Sequence, residues 1–191
     1  MTTPTPIEYR DQLRDHYERC WSTEGRERFW QTGPVDQLPE GFCVLEFPTT
    51  RLRDMWTYAT CGMSPLSDQP PIELHLFAQQ PSMSHVELLT VVTHYHLTGK
   101  PLNLGHTFNI GRPWLPGSAC EFGLISLPYL DGPKLELFEP PQSSLTVRCL
   151  WLIPITAAES KFAMEVGLEE LEQAFEDQSL NYLNPMRRSV V

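Results

Sequence analysis

The stretch 102–118, LNLGHTFNIGRPWLPGS, contains three glycines, two prolines, a histidine, an arginine and a tryptophan. Glycine and proline at this density predict a backbone of fixed turns rather than an ordinary connection. Between two of the glycines, the run 106–110 alternates apolar and polar residues and places Phe108 and Ile110 on one face. The sequence therefore predicts a loop–strand–loop unit around which the rest of the chain is arranged.

Two rigid loops carry the side-chain types that most often anchor protein interfaces. In the first, proline stiffens the backbone between Arg112 and Trp114. The second, at 128–133, is a turn rich in proline and glycine that carries Tyr129 and Asp131. We predict that these four residues contact a partner protein. The alternative is that the two aromatic rings pack at the edge of the core while the arginine pairs with a carboxylate.

Apolar periodicity divides the remaining chain into strands and helices. Strands are predicted at 42–47, 55–60, 72–77, 122–127, 135–138 and 145–153, the last of them ended by Pro154. Helices are predicted at 7–21, from 84 to about 97, at 156–164 and at 168–175. Ser84 with Glu87 and Thr156 with Glu159 have the spacing of capping boxes, and Gly99 is predicted to be a left-handed helix stop.

The order of these elements predicts an α+β fold, a mixed α/β sandwich. Its one sheet would be mostly antiparallel or mixed and covered by helices. A doubly wound fold is excluded because the helices do not alternate with the strands one by one.

Length and charge limit the classes of partner. A chain of 191 residues with a net charge of −10 suits one domain with a substantial core. An acidic protein repels phosphate backbones and is attracted to cationic surfaces. The charge therefore argues against nucleic acid as a ligand and favours a basic protein.

The cysteines and the N-terminal residues indicate the compartment. The five cysteines are widely spread without a CxxC pair, which predicts reduced and mostly buried thiols. The polar segment 1–9 is neither a signal peptide nor an anchor, and no apolar run approaches the roughly 20 residues of a membrane span. We expect a cytoplasmic protein without membrane contact.

The sequence offers no strong catalytic pattern. His94 and His96 are two residues apart on a predicted helix and so point in different directions, which argues against a metal site. No nucleophile elbow or phosphate loop occurs. We predict a non-enzymatic protein without metal or cofactor. The alternative is a metal-assisted hydrolase that uses His75, His96 and His106.

Seven short motifs, in this order and spacing, resemble the suppressor of fused family, and in particular its compact, single-domain bacterial members. They are WTYATCGMS (56–64), IELHL (72–76), LGH (104–106), GRPW (111–114), LPYLDGP (127–133), WLIPIT (151–156) and RSVV (188–191). The positions that carry the resemblance are Trp56, Tyr58, Gly62, Gly105, His106, Gly111, Pro113, Pro128 and Gly132. The similarity covers the chain after about Gly41.

The resemblance implies a single suppressor-of-fused-like domain at 1–191, with a helical N-terminal extension at 1–40 and the family core at 41–191. It also implies an intracellular protein-binding module. The animal proteins hold a transcription factor by clamping a peptide between this domain and a second, C-terminal domain. Since this chain stops at Val191, we expect no such clamp and transfer none of the animal binding residues.

Short bacterial members of the family are regarded as immunity proteins that neutralise toxin domains. The acidic balance suits a partner that is a basic toxin domain, such as a nuclease. The alternative within the same class is a regulatory scaffold unrelated to toxins.

Overall fold

The computed structural model describes residues 4–67, 70–141 and 143–191, so the first three residues of the predicted N-terminal extension lie outside it. The helices are α1 (Pro6–Trp21), α2 (Met83–Thr98), α3 (Pro133–Glu136), α4 (Ala157–Glu165) and α5 (Leu168–Asp177). The strands are β1 (Arg26–Arg28), β2 (Cys43–Phe47), β3 (Trp56–Cys61), β4 (Ile72–Ala78), β5 (Thr107–Asn109), β6 (Cys120–Ser126), β7 (Leu137–Phe138) and β8 (Val147–Thr156). None of the helices among the described residues is long and apolar enough to cross a membrane.

Contacts group the described residues into two compact units. The larger unit consists of Met1–Leu102 and Leu127–Trp151, and the smaller unit consists of Asn103–Ser126 and Leu152–Val191. Strand β8 begins in the larger unit and ends in the smaller one.

The larger unit contains the sheet order β1-β2-β3-β4-β8. The first four strands are antiparallel to their neighbours, and β4 runs parallel to β8 with Ile72 opposite Arg148. The short strand β7 pairs antiparallel with β8. Parallel neighbours need a long crossover, and α2 lies in the chain between β4 and β8.

Both faces of this sheet are covered. On one face α1 packs through Leu13, Tyr17 and Trp21, and the Trp21 ring lies 4.7 Å from that of Phe47. On the other face the ring of Tyr58 lies 5.0 Å from that of His85 on α2. Tyr58 pairs with Glu46, the neighbour of Phe47, and side chains alternate along a strand. The two helices therefore lie on opposite faces.

In the smaller unit, β5 pairs antiparallel with β6, and β6 is hydrogen-bonded to β8. Gly123 is necessary here, because a Cβ at this position would come within 2.8 Å of both the Phe108 ring and Leu152. Helices α4 and α5 pack on each other, with Leu171 and Phe175 as the buried residues of α5. The eight strands make a mixed sheet, which confirms the predicted α+β class.

The helix predictions were correct in position but partly wrong at the ends. The N-cap of α2 is Ser82 rather than Ser84, because Ser82 has the extended backbone of a cap and accepts from the Ser84 N–H. Gly99 ends the helix at φ −106°, not in the left-handed region, and a Cβ there would lie 2.9 Å from the Tyr95 carbonyl oxygen. The capping box of Thr156 and Glu159 is confirmed.

Two strand predictions were wrong in part. The segment 135–138 begins as the short helix α3, because Pro133 stands at its first position, and only its last two residues form β7. Strand β8 does not end at Pro154 but continues to Thr156. The carbonyl oxygen of Pro154 accepts a hydrogen bond from the Arg187 guanidinium at 2.9 Å.

Candidate functional site

Two loops of the larger unit that carry exposed apolar side chains form the first candidate surface. Leu52 is 95% exposed, Tyr129 59% and Leu130 47%. Leu52 adjoins Arg53 in sequence and Leu130 adjoins Asp131, and these two charged residues are joined by a bidentate ion pair of 2.6 Å and 3.1 Å. The ion pair therefore holds the two loops side by side. We call Leu52, Tyr129 and Leu130 the Leu52 patch.

The ion pair beneath the patch is itself held from several sides. The Arg53 guanidinium lies 5.4 Å from the ring centre of Trp21 and 4.9 Å from that of Phe77. The N–H groups of Asp131 and Gly132 both donate to the Pro128 carbonyl oxygen. Charged hydrogen bonds with parallel donors and partial burial fix the geometry as well as adding energy. The carboxylate of Asp131 is thus a support for the loop rather than an exposed contact.

The other two predicted contact residues lie in the smaller unit. The Trp114 side chain is 2% exposed, and the backbone N–H of this residue donates to the Cys120 carbonyl oxygen at 2.8 Å. Its ring therefore belongs to the core. Arg112, two residues earlier beside the half-buried Pro113, is itself half-buried. Of the four predicted contact residues, Tyr129 has the largest exposed fraction.

The histidines of the alternative hydrolase hypothesis have separate surroundings. His75 is fully buried on β4, and burial lowers its pKa to about 3. On α2, His96 Nδ1 accepts from the Leu102 N–H at 3.0 Å, while Nε2 lies 3.2 Å from the Ser64 hydroxyl. His106 Nδ1 accepts from the backbone N–H of a nearby asparagine at 3.2 Å. Among the described residues, no group of three or more His, Cys, Asp or Glu is placed to hold a metal ion.

The two motifs at 56–64 and 72–76 meet at a buried carboxylate, that of Glu73. Glu73 Oε1 accepts from the Tyr9 hydroxyl at 2.9 Å and from the N–H groups of Gly62 and Met63 at 2.9 Å and 3.0 Å. Its Oε2 accepts from the Thr60 hydroxyl at 2.6 Å. Gly62 is required because the turn takes φ +87°. Burial raises the pKa of Glu73 to about 7, although all four donors lower it.

A second buried carboxylate, that of Glu159, contacts the C-terminal motif at 188–191. Glu159 is clamped by the Arg187 guanidinium through contacts of 2.5 Å and 2.8 Å, and it also accepts from the N–H groups of Thr156 and Val190. Burial raises the pKa of Glu159, but the arginine and the backbone donors outweigh burial and hold the pKa below its ordinary value. The carboxylate thus fixes the last residues of the chain onto α4.

The aromatic motif strand contributes a third polar cluster. Glu46 accepts from Arg28 at 2.7 Å and from the Tyr58 hydroxyl at 3.1 Å. The same hydroxyl accepts from the Ser82 N–H at 3.0 Å, and burial raises the pKa of Tyr58 to about 12. Trp56 begins the strand opposite Ala78. The cluster ties the edge strand β1 to the start of α2.

The turn positions of the resemblance have the backbone that the motifs require. Positive φ values occur at Gly62, Gly105, Gly111 and Gly132.

Of the three carboxylates, Glu73 and Glu46 were not predicted from the sequence to be functional or structural centres. The available signal was the position of each glutamate in the middle of an apolar strand.

Comparison with known proteins identifies the relatives of this architecture. The family model of the suppressor of fused protein matches residues 39–188. A crystal structure described as a suppressor of fused homologue from Neisseria gonorrhoeae superposes with a TM-score of 0.84 at 28% sequence identity, covering 97% of this chain and 98% of that one. No curated protein matches the sequence.

Two more distant structures share the fold. A chain of a Sufu–Fu complex superposes with a TM-score of 0.70 at 14% identity, covering 95% of this chain and 92% of that one. Suppressor of fused from Drosophila superposes with a TM-score of 0.64 at 16% identity, covering 93% of this chain and 50% of the fly protein.

Proposed function

The chain belongs to the suppressor of fused family, and we propose on this premise that it is a non-enzymatic protein-binding module of the cytoplasm. In finer terms we propose an immunity protein that neutralises a toxin domain. Protein interaction is the role of the family's better-known members, and one solved relative is a complex with a second protein. The five cysteines are free thiols, in keeping with a reducing compartment.

The Leu52 patch is the observation that carries the proposal. Soluble proteins seldom expose several large apolar side chains together unless the surface is used for binding. Here the loops that expose Leu52 and Leu130 are locked by the Arg53–Asp131 ion pair. A surface that is rigid before binding loses little conformational entropy on association. Tyr129 is the proposed anchor, since tyrosine offers a large amphipathic contact area.

The other predicted contact residues take different roles in this proposal. Asp131 positions the loop of Tyr129 through Arg53. Trp114 supports the segment that carries Arg112, and Arg112 is the proposed contact residue of the smaller unit. A variant at Trp114 would therefore affect folding before it affected binding.

The net charge favours a basic partner. At −10 the chain attracts a cationic domain over a distance set by the ionic strength and speeds the encounter of the two proteins. The apolar patch then supplies the short-range contact, which is not screened by salt. Binding should consequently show an association rate that falls with salt and a dissociation rate that changes less.

The test is protection by co-expression. Any basic toxin domain found encoded beside the gene is co-expressed with the wild-type protein or with the variant Leu130→Asp, and cell survival and the dissociation constant are measured. The aspartate places a charge in the proposed contact, so we expect binding about tenfold weaker or worse and loss of protection. The matched control is Met164→Asp, since Met164 is 72% exposed on α4 in the smaller unit.

The outcomes separate the possible roles. Protection by the wild type and the control, but not by Leu130→Asp, supports both the immunity role and the patch. Protection by all three overturns the patch. Absence of protection and of binding to the neighbouring toxin domain overturns the immunity role and favours a regulatory scaffold.

A further inference from the structure

Two cysteines lie directly opposite each other on adjacent strands of the larger unit. Cys43 is the first residue of β2 and Cys61 is the last residue of β3, and the antiparallel register pairs them. Both side chains are buried. Since 17 residues separate them in the sequence, no CxxC-type spacing reveals the pair. It emerges only when the register of the sheet is known.

The register places the pair within reach of a covalent bond. Directly opposed residues of antiparallel strands have Cα atoms about 4.5 Å or 5.5 Å apart, depending on the ladder position. Disulfides span Cα separations of about 4.4–6.8 Å. Either ladder position therefore brings the two backbones into the range of a disulfide without moving a strand.

The two thiols also form an asymmetric pair. The contact with the Cys61 thiol lowers the pKa of Cys43, and the nearby guanidinium groups of Arg10 and Arg14 lower it as well, although burial raises it. Burial raises the pKa of Cys61, as does its contact with Cys43. Cys43 is thus the better thiolate, with the Cys61 thiol beside it. To form a disulfide within the protein by thiol–disulfide exchange, one thiolate attacks the small disulfide and a second thiol resolves the mixed disulfide.

A small reagent would reach Cys43 through a local opening at the end of β2. The pairing of β1 with β2 ends at Val44, so Cys43 lies just beyond the covered part of the strand edge. The two cysteines therefore lie at strand ends rather than in the middle of the sheet. A local opening costs less free energy at a strand end.

Cys149, another buried cysteine of the larger unit, is a poor competitor for either thiol. Cys149 lies opposite Glu73 on β8, two strands away from β3, at roughly 9–10 Å by the spacing of sheet strands. That separation exceeds the reach of a disulfide. Burial also raises the pKa of Cys149 far above its ordinary value, which disfavours its thiolate.

We propose that Cys43 and Cys61 form a thiol–disulfide site that low-molecular-weight disulfides oxidise. The Cys43 thiolate attacks one sulfur of the small disulfide, forms a mixed disulfide and releases one small thiolate. The Cys61 sulfur then attacks Cys43, forms the Cys43–Cys61 bond and releases the second small thiolate. The two protein thiols lose two electrons and two protons, and the reagent gains both as two thiols.

The test uses the intact reduced protein and oxidised glutathione. After incubation without denaturant, we expect an intact mass lower by two hydrogens and a proteolytic fragment that joins Cys43 to Cys61. The oxidised protein should melt several degrees higher, because the new bond closes a loop in the unfolded chain. Cys20→Ser is the matched control, since Cys20 is half-buried on α1, and it should oxidise like the wild type.

Three results would overturn the proposal. One is a stable glutathione adduct on Cys43 that does not resolve in the wild-type protein. Another is a crosslink that involves Cys20, Cys120 or Cys149 instead. The last is a Cys43–Cys61 bond that forms only after urea unfolds the protein. All three results are measured on the wild-type chain, so the test does not depend on whether a cysteine variant folds.

Discussion

Glu73 in the larger unit and Glu159 in the smaller unit are both fully buried carboxylates, yet their pKa values are shifted in opposite directions. The pKa of Glu73 is raised to about 7, whereas that of Glu159 is held below its ordinary value. Each accepts several hydrogen bonds from side chains or backbone N–H groups. The difference is the cation, because Glu159 has the Arg187 guanidinium and the donors to Glu73 are neutral. Neutral donors alone do not offset the loss of water around a carboxylate here.

The two carboxylates also have different structural roles. Hydrogen bonds to Glu73 connect α1, β3 and the turn at Gly62 within the larger unit. Glu159 fastens the C-terminal residues through Arg187 and Val190. A network of neutral donors can lose one member and keep the rest, whereas an ion pair that loses its cation leaves a bare charge. Loss of Arg187 should therefore cost more stability than loss of one neutral donor to Glu73.

Removal of the cation should have the largest effect. In Arg187→Met, the carboxylate of Glu159 remains buried without its counter-charge, and the Pro154 carbonyl loses a donor. Breaking one side of a buried ion pair costs about 3–5 kcal/mol of unfolding free energy. Urea unfolding at neutral pH measures this loss. Arg188→Met is the control, because Arg188 is the adjacent cation and is exposed. Equal, small losses in both variants would contradict the role given to Arg187.

The pH dependence of stability should reveal the second difference. The folded pKa of Glu73 lies near 7, above the ordinary value of 4.5, so the folded state holds its proton more tightly. Its contribution to stability is complete below about pH 4.5 and is lost as the pH rises through 7, on the order of 3 kcal/mol. Glu159 has the opposite sign, and its contribution is lost as the pH falls through a folded pKa below 4.5.

The measurement has to isolate Glu73 from other groups. The lowered pKa of His75 makes stability rise with pH between about 3 and 6.5, opposite to Glu73. We therefore compare urea unfolding of the wild type with that of Glu73→Gln at several pH values. The free-energy difference between the two should shrink from pH 4.5 to pH 7, while both should keep the acid loss that comes from Glu159. A constant difference would show that Glu73 does not titrate in this window.

Local signals predicted the parts of these clusters that are close in sequence. The three-residue spacing of Thr156 and Glu159 predicted the capping box, and the structure confirms it. The ion pair with Arg187 spans 28 residues and has no local signal. The fold class could be predicted because periodicity and element order are local properties. The partners of a carboxylate are set by tertiary contacts.

Strand patterns also failed where both faces of the sheet are buried. The alternating sequence of β4 places Glu73, His75 and Phe77 on one face, opposite the apolar residues, which is the pattern of a sheet with one polar face. In the structure, every residue of β4 is buried, because α1 and α2 cover the two faces. The candidate contact residues show the same limit. Tyr129 is exposed and Trp114 is core, although the sequence gives both the same kind of rigid loop.

The smallest predicted effect tests whether the donors to Glu73 act on its charge. Tyr9→Phe removes the hydroxyl that donates to Glu73 Oε1 and leaves the ring in the core. A hydrogen bond contributes about 1 kcal/mol to a neutral acceptor and about 1.5–3 kcal/mol to a charged one. The loss of unfolding free energy should therefore be larger at pH 8, where Glu73 is ionised, than at pH 5.

Tyr17→Phe is the control for this experiment. Its hydroxyl donates to the Thr60 carbonyl oxygen at 3.4 Å from the same helix, and a carbonyl does not titrate. Its loss should be equal at pH 5 and pH 8 in urea unfolding. If Tyr9→Phe behaves like Tyr17→Phe, the Tyr9 hydroxyl contributes only packing and neutral hydrogen bonding. The contrast between the two carboxylates would then rest on Arg187 alone, because the neutral donors to Glu73 would have no measurable part in its ionisation.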